Sequence, residues 1–254
     1  MNMLLTIMDD TFDIHATLEE CQKLNEAVQR WDEVAVSLVP EYLKKFYNEL
    51  LRNIKDFRSE MAINGNYKVS YIKKQLQNQF LYYLQEVEWL HKNHKPSFED
   101  LVNLTSMTIC VPTMSVCFLA SMGDAIPKEA LEWVAGFPDV VMASAKIGRF
   151  MNDIAALKRG KSKADATSSV EWYVREHGVS EEVAVARIKS LIEDEWRTLN
   201  QALFGNRALL PAVQRLINLT VSMPLYYSDG NDGFTFSKHL QKTVEALFVN
   251  PIPI

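Results

Sequence analysis

Apolar residues recur three and four positions apart along almost the whole chain, and sustained apolar–polar alternation is hard to find. That spacing is the signature of helices that each bury one stripe against a neighbour, whereas strands repeat every two residues. Glycine is sparse, with nine in 254 residues, so few positions invite the backbone to break helical geometry. The fold class that follows is all-α, a helical bundle large enough to hold a substantial core.

The chain begins inside such a stripe, at Met3, Leu4, Leu5 and Ile7, and runs into Met8-Asp9-Asp10-Thr11-Phe12-Asp13. Thr17 and Glu20 fit a capping box, which starts a helix that continues to Trp31. Further helices are expected from Glu41 to about Ile63 and, after Asn64-Gly65-Asn66, from Tyr67 to about His91. Ser97 should cap the next one, and Pro112 should kink or break it between Thr108 and Thr113. Beyond Pro127 and Pro138 come the runs Asp139 to Lys158, Ala164 to His177, Ser180 to Phe204, Pro211 to Tyr227 and Ser237 to Phe248.

Two polar clusters interrupt this pattern. If the first run is helical, Asp9 and Asp13 stand one turn apart on one face and Asp10 points about 100° away. Paired carboxylates repel unless a cation lies between them or one keeps its proton. Two readings stand: a Mg²⁺ site completed by substrate phosphates, or an acidic, solvated helix end. In the second cluster Arg149, Asn152 and Asp153 intrude on the apolar face of Val140, Val141, Ala143, Ile147, Phe150 and Met151. Polar groups there need a ligand or a network, unless the helix is half exposed.

Weaker signals lie around them. A helix broken at Pro112 leaves Thr108, Thr113 and Ser115 able to face a pocket, or is simply two core helices joined at a proline. Lys158, Arg159, Lys161 and Lys163 form a basic segment that suits a lid over phosphates or a solvated loop. Tyr226 to Thr235 is a turn-rich link with two acidic pairs ending in glycine. His91 and His94 sit among Lys92, Lys95 and Pro96, which favours an exposed loop over metal ligation.

Composition narrows the partners. With 27 basic and 32 acidic residues the chain has no global footprint for nucleic acid or a membrane surface. Cys21, Cys110 and Cys117 are too scattered for a disulfide framework, which suits a reducing compartment. The first residues read as neither a signal peptide nor a transit segment, and Pro112 breaks the longest apolar stretch, Thr105 to Met122. A cytoplasmic location without a stable membrane anchor is expected, as is an apolar face left open for homo-association.

Taken together, these residues resemble plant class I terpene synthases, sesquiterpene synthases in particular. The resemblance lies in Asp9-Asp10-Thr11-Phe12-Asp13, Leu18-Glu19-Glu20, Trp31-Asp32, Arg149-Phe150-Met151-Asn152-Asp153-Ile154 and the loop ending Asp232-Gly233-Phe234-Thr235. It spans essentially the whole chain and implies one partial catalytic α-domain, residues 1–254, without the family's N-terminal domain or first α-domain helices.

The likeness implies Mg²⁺, or Mn²⁺, held by Asp9, Asp13 and Asn152, with Asp10 and Asp153 as hydrogen-bonding neighbours. It also implies Arg149 and Asn152 on the diphosphate of a prenyl substrate, with Tyr227, Asp232 and Phe234 near a closing loop. The family's second motif continues with a hydroxyl and a carboxylate where this chain has Ala156 and Gly160. A terpene synthase that ionises farnesyl diphosphate and a non-catalytic homologue serving as a helical partner are therefore both compatible with the sequence.

Overall fold

The structure, a computed structural model, describes residues 1–60, 66–123, 126–160, 168–205, 207–227, 232–234 and 236–249. The described elements are helical throughout: α1 (Asn2–Asp10), α2 (Leu18–Arg30), α3 (Glu41–Glu60), α4 (Asn66–His91), α5 (Phe98–Thr108), α6 (Val111–Ser121) and α7 (Lys128–Ala135). They continue as α8 (Asp139–Arg159), α9 (Ser169–His177), α10 (Glu181–Ala202), α11 (Leu210–Val221), α12 (Met223–Tyr226) and α13 (Gln241–Phe248). Lys161, Lys163, Ser228 to Asn231 and Thr235, singled out in the sequence, lie outside the described residues.

Two long helices organise the bundle. α4 packs against α2, α5, α6 and α7, and α8 packs against α5, α6, α9, α10 and α11. Their inward faces supply Phe80, Tyr83, Ile147 and Phe150, all essentially removed from solvent. A smaller apolar cluster of Val102, Phe150, Ile154, Val170, Ala184 and Ile188 joins α5, α8, α9 and α10.

The acidic run departs from the regular helix expected of it. α1 ends at Asp10, and Thr11–His15 forms a single wider turn in which the amide of Ala16 bonds to the carbonyl of Thr11, five residues back, at 2.8 Å. Such π-type turns insert an extra residue per turn and are often found at functional sites. Phe12 anchors the turn: its ring meets Phe80 edge-on at 5.7 Å and Tyr83 at 5.4 Å, holding the acidic segment on α4.

The chain then leaves this turn through the capping box. Thr17 accepts the amide of Glu20 at 3.3 Å, and the Glu20 carboxylate accepts the amide of Thr17 at 2.8 Å. Ser97 likewise caps α5, accepting the amide of Asp100 at 3.1 Å.

Pro112 breaks rather than kinks its helix. It falls in the first turn of α6, and Cys110, before it, adopts a left-handed φ of 64°. By length and composition Phe98–Ser121 could cross a membrane, yet it is mostly buried and divided at this point. A second break was not expected. Pro224 ends the run from Pro211, giving α11 and the short α12, because proline is accommodated only in a helix's first turn.

Because the Thr17 cap fixes where the acidic turn stops and α2 starts, Thr17→Ala should lower stability by about 1 kcal/mol in urea unfolding. A midpoint equal to wild type would mean that the cap contributes nothing.

Candidate active site

The last turn of α5 is where the two polar clusters meet. Helix termination at Thr108 leaves carbonyl groups that α6 does not receive, and side chains from α4 and α8 reach them. The Tyr83 hydroxyl lies 2.6 Å from the carbonyl of Thr108 and also contacts Oδ1 of Asp9. From α8, Arg149 donates through Nε to the carbonyl of Thr105 at 3.1 Å and through Nη2 to the Thr108 hydroxyl at 3.3 Å. A cation at a helix C-terminus is favoured by the helix dipole.

Arg149 is fixed from its other side as well. Nη1 lies 3.5 Å from Oδ1 of Asp153, whose Oδ2 accepts the amide of Ser169 at 2.8 Å, at the start of α9. Burial alone would lower the Arg149 pKa, but Asp153, Glu86, Tyr83 and Asp9 outweigh it and keep the guanidinium charged. Burial is the largest cause and raises Asp153 above the usual carboxylate range, although the guanidinium and the Ser169 amide oppose that shift.

The carboxylates across from it carry the opposite strain. Burial is the largest cause raising Asp9 to about 6, against the hydrogen bond from Tyr83 and the charge of Arg149. Asp13 is pushed to about 9, first by burial and then by the charges of Asp9 and Glu86. These groups titrate as a set, since each raises the cost of ionising the next. The Tyr83 hydroxyl has one proton for two acceptors, the Asp9 carboxylate and the Thr108 carbonyl, which it shares between α1 and α5.

Other predicted residues fall into different surroundings. Asp10 is exposed at the end of α1. Asn152 lies with Nδ2 at 3.5 Å from the Tyr227 hydroxyl, which burial keeps protonated through neutral pH. Asp232 is buried, and Phe234 is 56% exposed while stacked on Tyr226 at 4.9 Å. Thr108 faces Arg149, but Thr113 donates to Oε1 of Gln79 at 2.7 Å within the core. Ser115 returns its proton to the carbonyl of Val111 at 2.8 Å, so neither of these two hydroxyls faces a pocket.

Tyr83 and Glu86 were missed by the sequence reading. Both are buried on the inner face of α4, and Glu86 acts electrostatically on Asp9, Asp13 and Arg149. The available signal was a glutamate one turn from Tyr83, on a face whose buried polar residues also include Gln75 and Gln79. Two clefts of about 460 and 530 Å³ lie elsewhere, and neither is lined by Asp9, Arg149 or Asn152.

The donor set fits a divalent cation on one side only. Asp9 and Asp13 are hard oxygen donors whose ionisation a cation would relieve, and Mg²⁺ commonly takes one or two carboxylates plus phosphate and water. Among the described residues no three His, Cys, Asp or Glu side chains converge on one point, so such an ion would depend on ligands from elsewhere. On α8, buried Ala156 has no donor atom and Gly160 has no side chain.

A carboxyl raised on folding contributes stability that is full below its unfolded pKa and lost as pH rises through its folded value. For Asp13 the window runs from 3.8 to about 9. In EDTA, Asp13→Asn should therefore melt increasingly above wild type across that window by calorimetry, and Mg²⁺ should narrow the gap. A gap independent of pH would mean that Asp13 is solvated.

Residues 1–198 match the model of the terpene synthase family, metal binding domain. Over 252 residues the chain is 46% identical to tau-cadinol synthase of Zea mays, covering 99% of this chain and 46% of that protein. It is also 46% identical to alpha-copaene synthase of Zea mays, covering 47% of it. It thus spans less than half the length of either relative. Isoprene synthase from grey poplar, solved with three Mg²⁺ ions and dimethylallyl-S-thiolodiphosphate, superimposes with a TM-score of 0.84 at 26% identity. That alignment covers 98% of this chain and 48% of the poplar enzyme. An all-α chain whose acidic turn and arginine-bearing helix meet at one broken helix, and which matches that family model over most of its length, belongs to the terpene synthase family.

Proposed function

We propose that this chain is the diphosphate-binding part of a sesquiterpene synthase, which ionises farnesyl diphosphate with Mg²⁺ and guides the resulting carbocation to a cyclic product. The observation that carries the reading is the convergence of Asp9 and Arg149 on the last turn of α5. Carboxylates facing a fixed guanidinium suit a metal-chelated polyanion better than a free anion or a free cation.

Asp9 and Asp13 would hold the ion, with Asn152 as a further donor, while Arg149 presents a charged edge to the diphosphate oxygens. Mg²⁺, or Mn²⁺, when bound supplies the Lewis acidity that neutralises charge on the departing diphosphate. Arg149 needs no reorganisation to assist, since Thr105, Thr108 and Asp153 already orient it. The carbon–oxygen bond breaks with its electron pair going to the diphosphate, and the allylic cation is left to apolar and aromatic walls. Each aromatic face contributes about 0.5 to 2 kcal/mol toward a cation.

A second reading is favoured by Ala156 and Gly160, which remove two donors from α8. In that reading the chain is a non-catalytic homologue with half a metal site, and exposed apolar side chains such as Met3, Ile7, Ile14 and Phe118 are open to another helical chain or a second copy. Light scattering separates a monomer from a self-associated form. The free thiols of Cys21, Cys110 and Cys117 support a cytoplasmic location, which a fluorescent fusion checks.

Incubation with farnesyl or geranyl diphosphate and Mg²⁺ or Mn²⁺ should release diphosphate and volatile terpenes, farnesyl diphosphate being preferred. Turnover should be slow, and Asp9→Ala or Asp13→Ala should abolish it. No product under any of these conditions favours the non-catalytic reading; rates unchanged by either substitution remove the aspartates from the reaction. Combining Ala156→Ser with Gly160→Glu should tighten Mg²⁺ binding by calorimetric titration, and a flat response would count against α8 as the second half of the site.

A further inference from the structure

The C-terminal end of α8 carries an ion pair that the diphosphate reading leaves unused. Nη1 of Arg159 lies 2.8 Å from Oδ2 of Asp232, with side-chain exposures of only 17% and 6%. Exposed pairs contribute little, but a pair this enclosed leaves a desolvated charge behind when one partner is removed. The other Asp232 oxygen accepts the amide of Phe234 at 2.9 Å, so the same carboxylate shapes the turn that follows it.

That turn is tightly built. The amide of Gly233 bonds to the carbonyl of Tyr226 at 2.7 Å and that of Phe236 to the carbonyl of Asp232 at 2.8 Å. A Cβ on Gly233 would lie 2.8 Å from Cδ1 of Leu240 and 3.2 Å from Tyr226, so any side chain there would make Leu240 and Tyr226 give way. Phe234 stacks on Tyr226 and reaches Tyr227 at 6.3 Å, and Tyr227 in turn meets Asn152. The turn is therefore joined to α8 at two places seven residues apart, Asn152 through Tyr227 and Arg159 through Asp232.

We propose that Arg159 is a positioning residue: its ion pair with Asp232 clasps the turn carrying Asp232, Gly233 and Phe234 to the end of α8, and thereby sets Tyr227 beside Asn152. The reason lies in the helix itself. Ala156 and Gly160 supply no side-chain donor between Asn152 and the end of α8, whereas Arg159 offers a charged one at the point where Asp232 lies. The effect on ligand binding rests on the diphosphate reading, whereas the clasp does not.

Hydrogen exchange over residues 226–240 in the free protein tests the clasp. Arg159→Gln should speed exchange at Gly233, Phe234 and Phe236 by roughly tenfold. Arg159→Lys should restore most of the protection, and the reversed pair Arg159→Asp with Asp232→Arg should be better protected than either single change. Exchange unaltered in Arg159→Gln overturns the proposal; if that variant does not fold, a reversed pair no better than its singles overturns it instead. Titration with inorganic pyrophosphate and MgCl₂ tests the positioning role, with affinity expected to fall roughly tenfold in Arg159→Gln and recover in Arg159→Lys. Equal affinity in wild type and Arg159→Gln, with the turn loosened, would make the clasp structural only. A wild-type protein that binds no pyrophosphate removes the diphosphate reading and the positioning role together, and the exchange data then stand for the clasp alone.

Discussion

Carbonyl groups at the end of α5 have to be satisfied, and the arrangement of the site follows from how this is done. The left-handed residue Cys110 turns the chain away before α6 can continue the hydrogen-bond ladder. A buried carbonyl left without a donor costs on the order of 1 to 3 kcal/mol. Tyr83 of α4 provides the donor at Thr108, and Arg149 of α8 adds a second one at Thr105, whose carbonyl also receives the Ile109 amide, so two long inner helices are keyed to one turn. Each then carries a second group: Tyr83 touches Asp9, and Arg149 holds Asp153, which binds the start of α9. Packing and polar satisfaction are the same event here.

The electrostatic consequence is a site with two unlike halves. On the α1 side, burial and mutual repulsion hold protons on Asp9 and Asp13 at pH values where free aspartates have lost them. On the α8 side, one guanidinium is permanently charged and geometrically locked. A polyanion can approach the second half directly, but the first only together with cations. Ala156 and Gly160 make this asymmetry stronger than the family pattern implies.

Much of this was legible from residue order. Helix class, the Thr17 and Ser97 caps and the break at Pro112 follow from local rules, and each is present. The wider turn after Asp10 was not legible, because it comes from Phe12 seating on Phe80 and Tyr83, a contact between residues far apart in sequence. Glu86 and Tyr83 were hidden for the same reason: nothing local marks which face of α4 meets α1. Thr113 shows the converse, since a hydroxyl freed by a helix break looks available until Gln79 of α4 is found opposite it.

Gly160 ends α8 with φ 80° and ψ 120°, a backbone state that side chains with a Cβ rarely occupy, although open space surrounds it. Holding another residue in such a region costs on the order of 1 to 3 kcal/mol. A carboxylate returned to this position would have to rewind the helix by one residue, and Arg159 would then sit in the interior of that helix. A carboxylate built there for a cation would therefore gain only the part of its binding energy that exceeds this main-chain cost.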